Sequence, residues 1–586
     1  METATSQVSP SVVAEPRAGI DVWRVLLLGA LLAAALLRLW DLGGPTLTHP
    51  EAYIPGIDLI PGLSEPPPRH GFMETLSWHF HKEWHPVGFY MMMWAWVKLA
   101  GTSEFALRLP SALFGIASVW LVSRLGAAAF NRRTGAVAAL LLALHGFHIY
   151  WSQMARMYAA GTALALLSTW LLVMLMRSGG RRPWLETGYA AAVVATTQTD
   201  VLLLALPFLH IAWVVLITPA SPLRAGSLWR PGGVQPARIL QVQAVALAVI
   251  SCEFVRTALL ARHGGATPDS SPHFLLHYLD FGFLFDPGAW FSSSGAPAML
   301  PVVALAATAL TLALAGMRVR GAELAAGPSP VPLPFQVVVA GVIAGVALTL
   351  FYAAISERHR AALATLAVFP LACLLLPAIA ARVKPVLNGI VPGVVAWVER
   401  LSPFGLLIAL IAFGPPLVFY AMSLVKSVLA PRAFLPFVPF FLLLIAAGFA
   451  ALPIRSTLRA LAGTALALLF LASYAYFRAA GHGPRDYKGV AAIIAREERP
   501  GDAIVVRRQH WADTPFFYYL PHARYLTPEQ VTRIGGSRAW VTEWSEEGVV
   551  NHDERRAALE RVGYRQQEQW TVGSYHATLF EPGTER

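Results

Sequence analysis

The sequence predicts a polytopic α-helical membrane protein with about thirteen transmembrane helices and a small C-terminal α/β domain outside the cytoplasm. Three observations lead to this prediction. Of the 586 residues, 56% are hydrophobic and only 13% are charged, whereas soluble domains carry roughly 25% charged residues. The apolar residues form runs long enough to cross a bilayer, and the composition becomes charged only after about Gly481. The net charge of +11 does not indicate nucleic-acid binding, because the Lys and Arg lie in short loops between apolar runs.

The apolar runs define the predicted spans, since a helix needs about 20 mostly apolar residues to cross the hydrocarbon core. The first run is too long for a signal core and is not followed by a small-residue cleavage site, so we predict an uncleaved first span. Residues 86–100 are apolar but short, and we expect a re-entrant or interfacial helix there. The predicted spans are 22–40, 109–129, 135–151, 157–176, 184–199, 201–218, 240–260, 297–316, 334–354, 362–380, 404–424, 433–452 and 458–477.

The basic loops orient these spans, because short cytoplasmic loops are enriched in Lys and Arg. Six basic loops fall on one side only if residues 86–100 do not cross the membrane. Residues 41–108 then form one long outer loop, and the protein is placed in the cytoplasmic (inner) membrane. The predicted units are a cytoplasmic tail (1–21), a first membrane module (22–260), further transmembrane helices (261–480) and an extracytoplasmic α/β domain (481–586).

Short patterns predict the remaining elements. In the C-terminal domain, DYKGVAAIIAREE and residues 553–561 are predicted as helices, whereas GDAIVV, RAWVTEW and TVGSYHATLFE are predicted as strands. The Pro-rich GPSPVPLP (327–334) is predicted to be a cytoplasmic linker. The two cysteines lie inside apolar runs and predict neither a disulfide nor a cysteine metal site.

Polar side chains gather at the predicted outer face. The long loop contains THPEAY (48–53) and the His-rich WHFHKEWHP (78–86), and the next outer turn contains WSQMARMY (151–158). Charges near a bilayer are costly and are often functional. Each also has an ordinary structural alternative, such as an interfacial Arg that reaches toward water or an Asp that caps a helix.

Three stretches resemble bacterial members of glycosyltransferase superfamily C, nearest to the protein O-mannosyltransferases and aminoarabinose transferases. These stretches are HPVGFYMMMWAWVKLAGTSEFALRLPSALFG, AAFNRRTG and LLLALHGFHIYWSQMARMYA, and the match covers roughly residues 38–180. The resemblance implies that the module 22–260 is catalytic. It implies transfer of a sugar from a polyprenyl-phosphate donor to a lipid, glycan or protein acceptor at the outer face, with inversion at the anomeric carbon.

Such a transfer needs a base for the acceptor hydroxyl and positive charge for the departing lipid phosphate. Glu51 is predicted as the general base or as the group that orients the acceptor, and a loop carboxylate paired with a neighbour is its alternative. His85 matches the family's His-Pro position and is predicted to lie near the acceptor or the phosphate. Asp200 is predicted to supply a second carboxylate, with a helix cap as an equal alternative.

Further residues are predicted to bind the substrate or the lipid phosphate. Arg156 and Tyr158 match the family's S-Q-x-A-R-M-Y turn, and Arg156 is predicted to pair with Glu51 or with phosphate. Arg432 suits a lipid phosphate because a guanidinium can hold it in a bidentate grip. The complete set of predicted binding residues is His49, Tyr53, Arg156, Tyr158, Arg432 and Lys426.

Binding of a divalent metal is left as an open alternative, because His81 and Glu83 are suitable ligands for Zn or Mn. No HExxH motif or cysteine pair accompanies them, so a wet amphipathic loop is the alternative. No other cofactor is expected, and the absence of a Gly-rich phosphate loop favours a lipid-linked donor.

The chain departs from the family pattern at two acidic positions. Either Pro50 occupies the position where an aspartate is usual or one residue has been lost there, and Met154 replaces an acid in the outer turn. Glu51, Glu83 and Asp200 would have to compensate. A catalytically altered relative that acts as a binding or assembly protein is therefore one alternative function. A lipid-linked-sugar transporter is another, but it would place polar groups near the middle of the bilayer rather than at one outer edge.

Overall fold

A computed structural model provides the structure of the chain. The predicted spans 334–354 and 362–380, the linker 327–334 and Lys426 lie outside the residues that it describes. The described residues are 21–64, 66–83, 85–178, 182–217, 236–260, 299–318, 401–423, 431–452, 455–479, 486–507, 513–544, 554–573 and 575–583.

Helices dominate the described part of residues 21–479. Four of them are long and apolar enough to cross a membrane, and the pair formed by α5 and α6, which is bent by 65°, makes a fifth candidate. The chain is therefore a membrane protein, while the predicted number of about thirteen spans stays a prediction. The helices are α1 (Val22–Leu39), α2 (Phe72–His81), α3 (Gly88–Ala100), α4 (Glu104–Ala129), α5 (Arg132–Leu144), α6 (Gly146–Ser152), α7 (Tyr158–Ser178), α8 (Trp184–Thr197), α9 (Leu206–Ile217), α10 (Pro236–Leu260), α11 (Met299–Met317), α12 (Pro403–Ser423), α13 (Val438–Ala451) and α14 (Ser456–Ala479). Short 3₁₀ turns lie at Glu51–Tyr53, Val201–Ala205 and Pro431–Phe437.

Helix α3 is shorter than a typical membrane span. Its 13 residues span about 20 Å at 1.5 Å per residue, whereas the hydrocarbon core is about 30 Å thick. It buries Phe89, Tyr90 and Met93, and Trp96 Nε1–H donates to the Ala106 carbonyl at 2.8 Å. The re-entrant or interfacial position of residues 86–100 stays a prediction.

The bend between α5 and α6 is stabilised by Arg38 of α1. Its guanidinium is buried and donates to the carbonyls of Leu142 and Ala143, both at 3.0 Å. A helix end leaves such carbonyls without intrahelical partners, so Arg38 satisfies them where α5 stops. The bend directs the chain after α6 into the turn that contains Arg156.

Residues 486–583 contain a five-stranded sheet in the order β2-β1-β3-β5-β4. Strand β1 is parallel to β2 and β3, whereas β5 is antiparallel to β3 and β4. The strands are β1 (Ala503–Val505), β2 (Arg524–Leu526), β3 (Ala539–Trp544), β4 (Tyr564–Val572) and β5 (Tyr575–Pro582), and the helices are α15 (Tyr487–Glu497), α16 (Thr514–Tyr519) and α17 (Glu554–Arg561).

This α/β domain packs on the long loop close to the start of α4. The Leu47 N–H donates to the Tyr519 hydroxyl at 2.7 Å. The Lys488 ammonium lies 3.0 Å from the Glu104 carboxylate, and the Tyr518 hydroxyl donates to the Thr102 carbonyl at 3.1 Å. The domain therefore holds the loop segment that leads into Glu51.

Candidate functional site

Glu51 is a fully buried carboxylate whose partner is Arg108 of α4. Arg108 Nε donates to Oε1 at 2.8 Å and Nη2 donates to Oε2 at 3.0 Å. The remaining Arg108 N–H groups donate to loop carbonyls, including that of Pro45 at 2.8 Å. Such a bidentate pair is among the strongest polar contacts in proteins, and it fixes the long loop to the first turn of α4.

Backbone N–H groups donate further hydrogen bonds to both oxygens of the Glu51 carboxylate. Its Oε2 accepts from the Thr48 N–H at 2.9 Å, and its Oε1 accepts from the Ala155 N–H at 3.0 Å. Burial alone would raise the pKa of Glu51, but Arg108 and these donors lower it below its ordinary value. Glu51 is thus ionised and saturated with donors. Of the two partners predicted for Arg156, Glu51 is wrong, because Arg108 takes the carboxylate, whereas phosphate stays a prediction.

Asp200 and His85 face each other beside this clamp. Asp200 is fully buried at the turn after α8, and its Oδ1 accepts from the Leu202 N–H at 2.9 Å. Its Oδ2 has no hydrogen-bond partner among the described residues and lies 4.0 Å from His85 Nδ1. The Tyr90 hydroxyl is also buried without a partner in the described part of the chain. Buried polar atoms almost always have partners, so these two atoms suit contacts with a polar ligand.

Gly88 allows the His85 segment to approach Asp200. A Cβ at this position would lie 2.6 Å from Gln198 Cβ and 2.9 Å from the Gln198 carbonyl oxygen. The contact is completed by the Phe89 N–H, which donates to the same carbonyl at 3.1 Å. The start of α3 therefore lies directly on the turn that presents Asp200.

We predict that Gly88→Ala separates His85 from Asp200 and lowers any activity that depends on this pair at least tenfold, since a displacement of about 1 Å in a catalytic site can cost about 100-fold. Gly29→Ala is the matched control, because a Cβ at Gly29 meets nothing within 4 Å. Activity assays on equal amounts of folded protein test the expectation. Equal activity of the two variants would contradict it.

Arg256 of α10 fixes the His-rich segment by its backbone. Its guanidinium donates to the carbonyls of His79 (3.3 Å), Glu83 and His85 (2.7 Å), and Nε donates to the Glu253 carboxylate at 2.9 Å. The segment after α2 is therefore held to α10 by three hydrogen bonds from Arg256 to its carbonyls. These hydrogen bonds fix the backbone that carries the His85 ring.

Two arginines lie close enough to His85 and Asp200 to act on both of them electrostatically. Arg156 is 8% exposed, donates to the Pro50 carbonyl at 3.2 Å and hydrogen-bonds Tyr158. Arg432 is exposed, and its Nε donates to the Tyr158 hydroxyl at 3.0 Å. Tyr158 thus joins the two guanidiniums, which provide a positive wall with one buried and one accessible member.

Burial and the charges of Arg156 and Arg432 set the protonation of His85 and Asp200. Burial, then Arg156 and Arg432, hold the pKa of His85 well below its ordinary value, so its imidazole is neutral at neutral pH. Burial raises the pKa of Asp200 to about 6, although the same two arginines lower it. Asp200 is therefore a carboxylate that gains and loses its proton close to physiological pH, as a general base should.

The other predicted residues are more peripheral. The His49 ring contacts Tyr53 edge to face, with 6.2 Å between ring centroids. His81 Nδ1–H donates to the Ser77 carbonyl of its own helix at 2.7 Å, and Glu83 Oε1 accepts from the His85 N–H at 3.2 Å. Within the described ranges, no three His, Cys, Asp or Glu side chains come together as metal ligands. A metal at His81 and Glu83 stays an untested alternative.

Sequence patterns did not identify Arg108, Arg256 or Tyr90. Arg108 stands in the RLPSALFG stretch four residues after Glu104, where a charged residue in a helix start is unremarkable. Arg256 lies inside a predicted span, and an ionisable residue there is a signal for function or for a buried partner. Both act on loop residues far away in the sequence.

The sequence of this chain matches a known protein family over part of its length. Residues 84–231 match the family model described as dolichyl-phosphate-mannose-protein mannosyltransferase, which confirms over that stretch the resemblance predicted from the motifs. No curated protein sequence matches the chain.

Several solved structures are similar to this chain. ArnT from Cupriavidus metallidurans bound to undecaprenyl phosphate has 14% identity and a TM-score of 0.41, covering 96% of this chain and 98% of that chain. The oligosaccharyltransferase AglB from Archaeoglobus fulgidus, in complex with an inhibitory peptide and a dolichol-phosphate, has 11% identity and a TM-score of 0.45, covering 95% and 74%. Arabinofuranosyltransferase AftD from Mycobacteria has 14% identity and a TM-score of 0.38, covering 96% and 42%. All three scores are below 0.5, and the chemistry of the site rests on its own residues.

Proposed function

We propose that this protein is a membrane glycosyltransferase that moves a sugar from a polyprenyl-phosphate donor to a hydroxyl of a lipid, glycan or protein. The observation that carries the proposal is the buried Asp200 Oδ2, which has no hydrogen-bond partner among the described residues and lies 4.0 Å from His85 Nδ1, within the electrostatic reach of Arg156 and Arg432. Asp200 supplies a base of suitable pKa, and the two arginines supply positive charge for the donor phosphate. The site opens to the outer face of the cytoplasmic membrane, with the N-terminus inside and about thirteen spans.

In the proposed step, the acceptor hydroxyl gives its proton to Asp200 Oδ2 while its oxygen attacks the anomeric carbon. The bond from that carbon to the phosphate oxygen breaks, and its electron pair leaves with the polyprenyl phosphate. Attack opposite the leaving group inverts the anomeric configuration. Arg156 and Arg432 stabilise the charge that develops on the phosphate, and such electrostatic stabilisation in a dry site is usually the largest contribution to catalysis.

We assign Glu51 a positioning role. A general base needs an oxygen that can reach the acceptor proton, and both Glu51 oxygens are taken by Arg108 and backbone donors. Its lowered pKa also makes it a weak base. The carboxylate instead holds the loop beside Arg156, because Pro50, its chain neighbour, accepts from that arginine.

The departure at Pro50 supports one alternative, a catalytically altered relative that binds the lipid-linked sugar without transferring it. The two proposals differ in whether Asp200 replaces the acid usual at that position. A protein that only binds would retain the donor through Arg156 and Arg432 and would release no polyprenyl phosphate.

The pH dependence of transfer tests the base. Only the deprotonated form of Asp200 accepts a proton, so we expect kcat/KM to fall about tenfold per pH unit below about 6 and to level off above it, because the pKa of Asp200 is raised to about 6. His85 adds no step there, since its pKa lies well below that of an ordinary imidazole. Rates are measured from pH 4.5 to 8 with radiolabelled polyprenyl-phosphate sugars. A flat profile would exclude Asp200 as the base.

Substrate identity needs a separate experiment. Mass spectrometry of lipids, glycans and cell-envelope proteins from a deletion strain should reveal an acceptor that has lost one sugar. Complementation with the wild-type chain restores the modified acceptor, whereas complementation with Asp200→Asn does not. Restoration by both chains would refute transfer through Asp200.

A further inference from the structure

A cavity lies at the opposite end of the helix bundle from the candidate site. Its volume is about 360 Å³. The cavity and the Glu51 clamp lie at opposite ends of α4, because the 23 residues from Arg108 to Asn131 correspond to about 35 Å of helix. It is lined by Trp23, Asn131, Arg132, Arg133, Ala447, Ala450 and Ala451.

One side of this cavity is strongly basic. Arg132 and Arg133 begin α5, and the Arg133 guanidinium lies 5.6 Å from the centre of the Trp23 ring. Arg459, whose guanidinium binds the Leu452 carbonyl just after α13, acts on Arg133 with a charge of the same sign. Such repulsion is relieved when an anion binds between or beside the cations.

Asp21, which caps the start of α1, is an acidic group beside this cavity. It lies 3.1 Å from Arg24 and 3.7 Å from Arg132. Arg132 is therefore both a partner of Asp21 and part of the cavity wall. The pairs of Asp21 are largely exposed and weak, so Asp21 offsets the positive charge of Arg132 and Arg133 only in part.

The other side of the cavity is apolar. Ala447, Ala450 and Ala451 at the end of α13 are small, and they leave a smooth wall instead of hydrogen-bonding groups. Leu27 and Leu31 follow Trp23 on the same face of α1, four and eight residues further along the helix, and both are partly buried hydrophobic side chains. A ligand that fits both sides carries negative charge at one end and hydrocarbon at the other.

We propose that this cavity binds the headgroup of an anionic phospholipid, with the phosphate beside Arg132 and Arg133 and an acyl chain along α1. Basic pockets between membrane helices hold anionic headgroups in this way, and Trp23 marks the level of the interface. Free phosphate shares the charge but not the hydrocarbon. The cavity also has room for about twelve waters at about 30 Å³ each, more than one small anion fills.

The test is retention of phosphatidylglycerol by the full-length protein. The chain is reconstituted in nanodiscs of phosphatidylcholine with one-tenth phosphatidylglycerol, re-extracted in mild detergent, and its bound lipid is counted by native mass spectrometry. The double variant Arg132→Gln/Arg133→Gln is expected to retain at least about tenfold less phosphatidylglycerol than the wild type. Ala450→Leu fills the apolar side without changing the charge and is also expected to retain less phosphatidylglycerol.

Arg182→Gln is the matched control, because Arg182 is an exposed arginine between α7 and α8 and does not line the cavity. It should retain phosphatidylglycerol like the wild type, and millimolar inorganic phosphate should not displace the lipid. Equal retention by all variants, equal loss in the control, or displacement by free phosphate would each overturn the proposal.

Discussion

Asp200→Asn is expected to lower kcat/KM for sugar transfer about 10²–10⁴-fold, the usual contribution of a general base. The asparagine keeps the shape of the side chain, and its amide oxygen can still accept from the Leu202 N–H that Asp200 Oδ1 binds at 2.9 Å. The turn after α8 should therefore remain, and the loss should be one of chemistry. Measurement of transfer per folded molecule, together with an unchanged melting midpoint, checks both parts of the expectation.

Two comparisons make this result specific. Asp58→Asn removes an exposed carboxylate of the same long loop, 87% accessible in its side chain, and should transfer sugar like the wild type. Binding of the polyprenyl-phosphate donor to Asp200→Asn should persist, because Arg156 and Arg432 are untouched. If Asp200→Asn transferred sugar at the wild-type rate, the base would have to be another group and the proposed mechanism would fail.

The sequence predicted elements whose causes are local. Apolar runs predicted α1, α7 and the end of α13 closely, because crossing a bilayer requires about 20 consecutive apolar residues. The short run 86–100 became a 13-residue helix. In the C-terminal domain, DYKGVAAIIAREE contains α15 (Tyr487–Glu497), but β2, β4 and α16 were not predicted. Their residues are few or mixed in polarity, and their structure depends on neighbours.

The contacts of the site depend on long-range pairing. Arg108 lies 57 positions from Glu51, and Arg256 lies 171 positions from His85. No local pattern contains such a partner. The two alternatives left open for Asp200 are in fact compatible, since Oδ1 caps the turn while Oδ2 faces His85. For Glu51, the alternative of a carboxylate paired with a neighbour describes the observed contacts, whereas its role in chemistry stays a prediction.

Arg108→Met is expected to lower the stability of the protein by about 3–5 kcal/mol, the usual result of removing one member of a buried ion pair. The change leaves the buried Glu51 charge without its guanidinium and removes three donors from loop carbonyls. Because the pKa of Glu51 is lowered in the folded protein, its stabilising contribution is present above its ordinary value of 4.5 and is lost as the pH falls below it. Thermal unfolding in detergent at pH 7 and pH 4 measures both effects.

A double-variant cycle separates this structural role from catalysis. Glu51→Gln/Arg108→Met should be more stable than Arg108→Met, because no buried charge is left unpaired. Arg24→Met removes a largely exposed pair, with the Arg24 side chain 75% accessible, and should change stability by about 0.5 kcal/mol or less. If Glu51 only positions the loop, Glu51→Gln accumulates less folded protein but retains transfer per folded molecule within about tenfold, short of the 10²–10⁴-fold loss of a missing base. A larger loss at normal protein levels, accompanied by disappearance of the pH step of transfer, would return the role of base to Glu51, because displacement of the loop lowers the rate without removing the group that titrates.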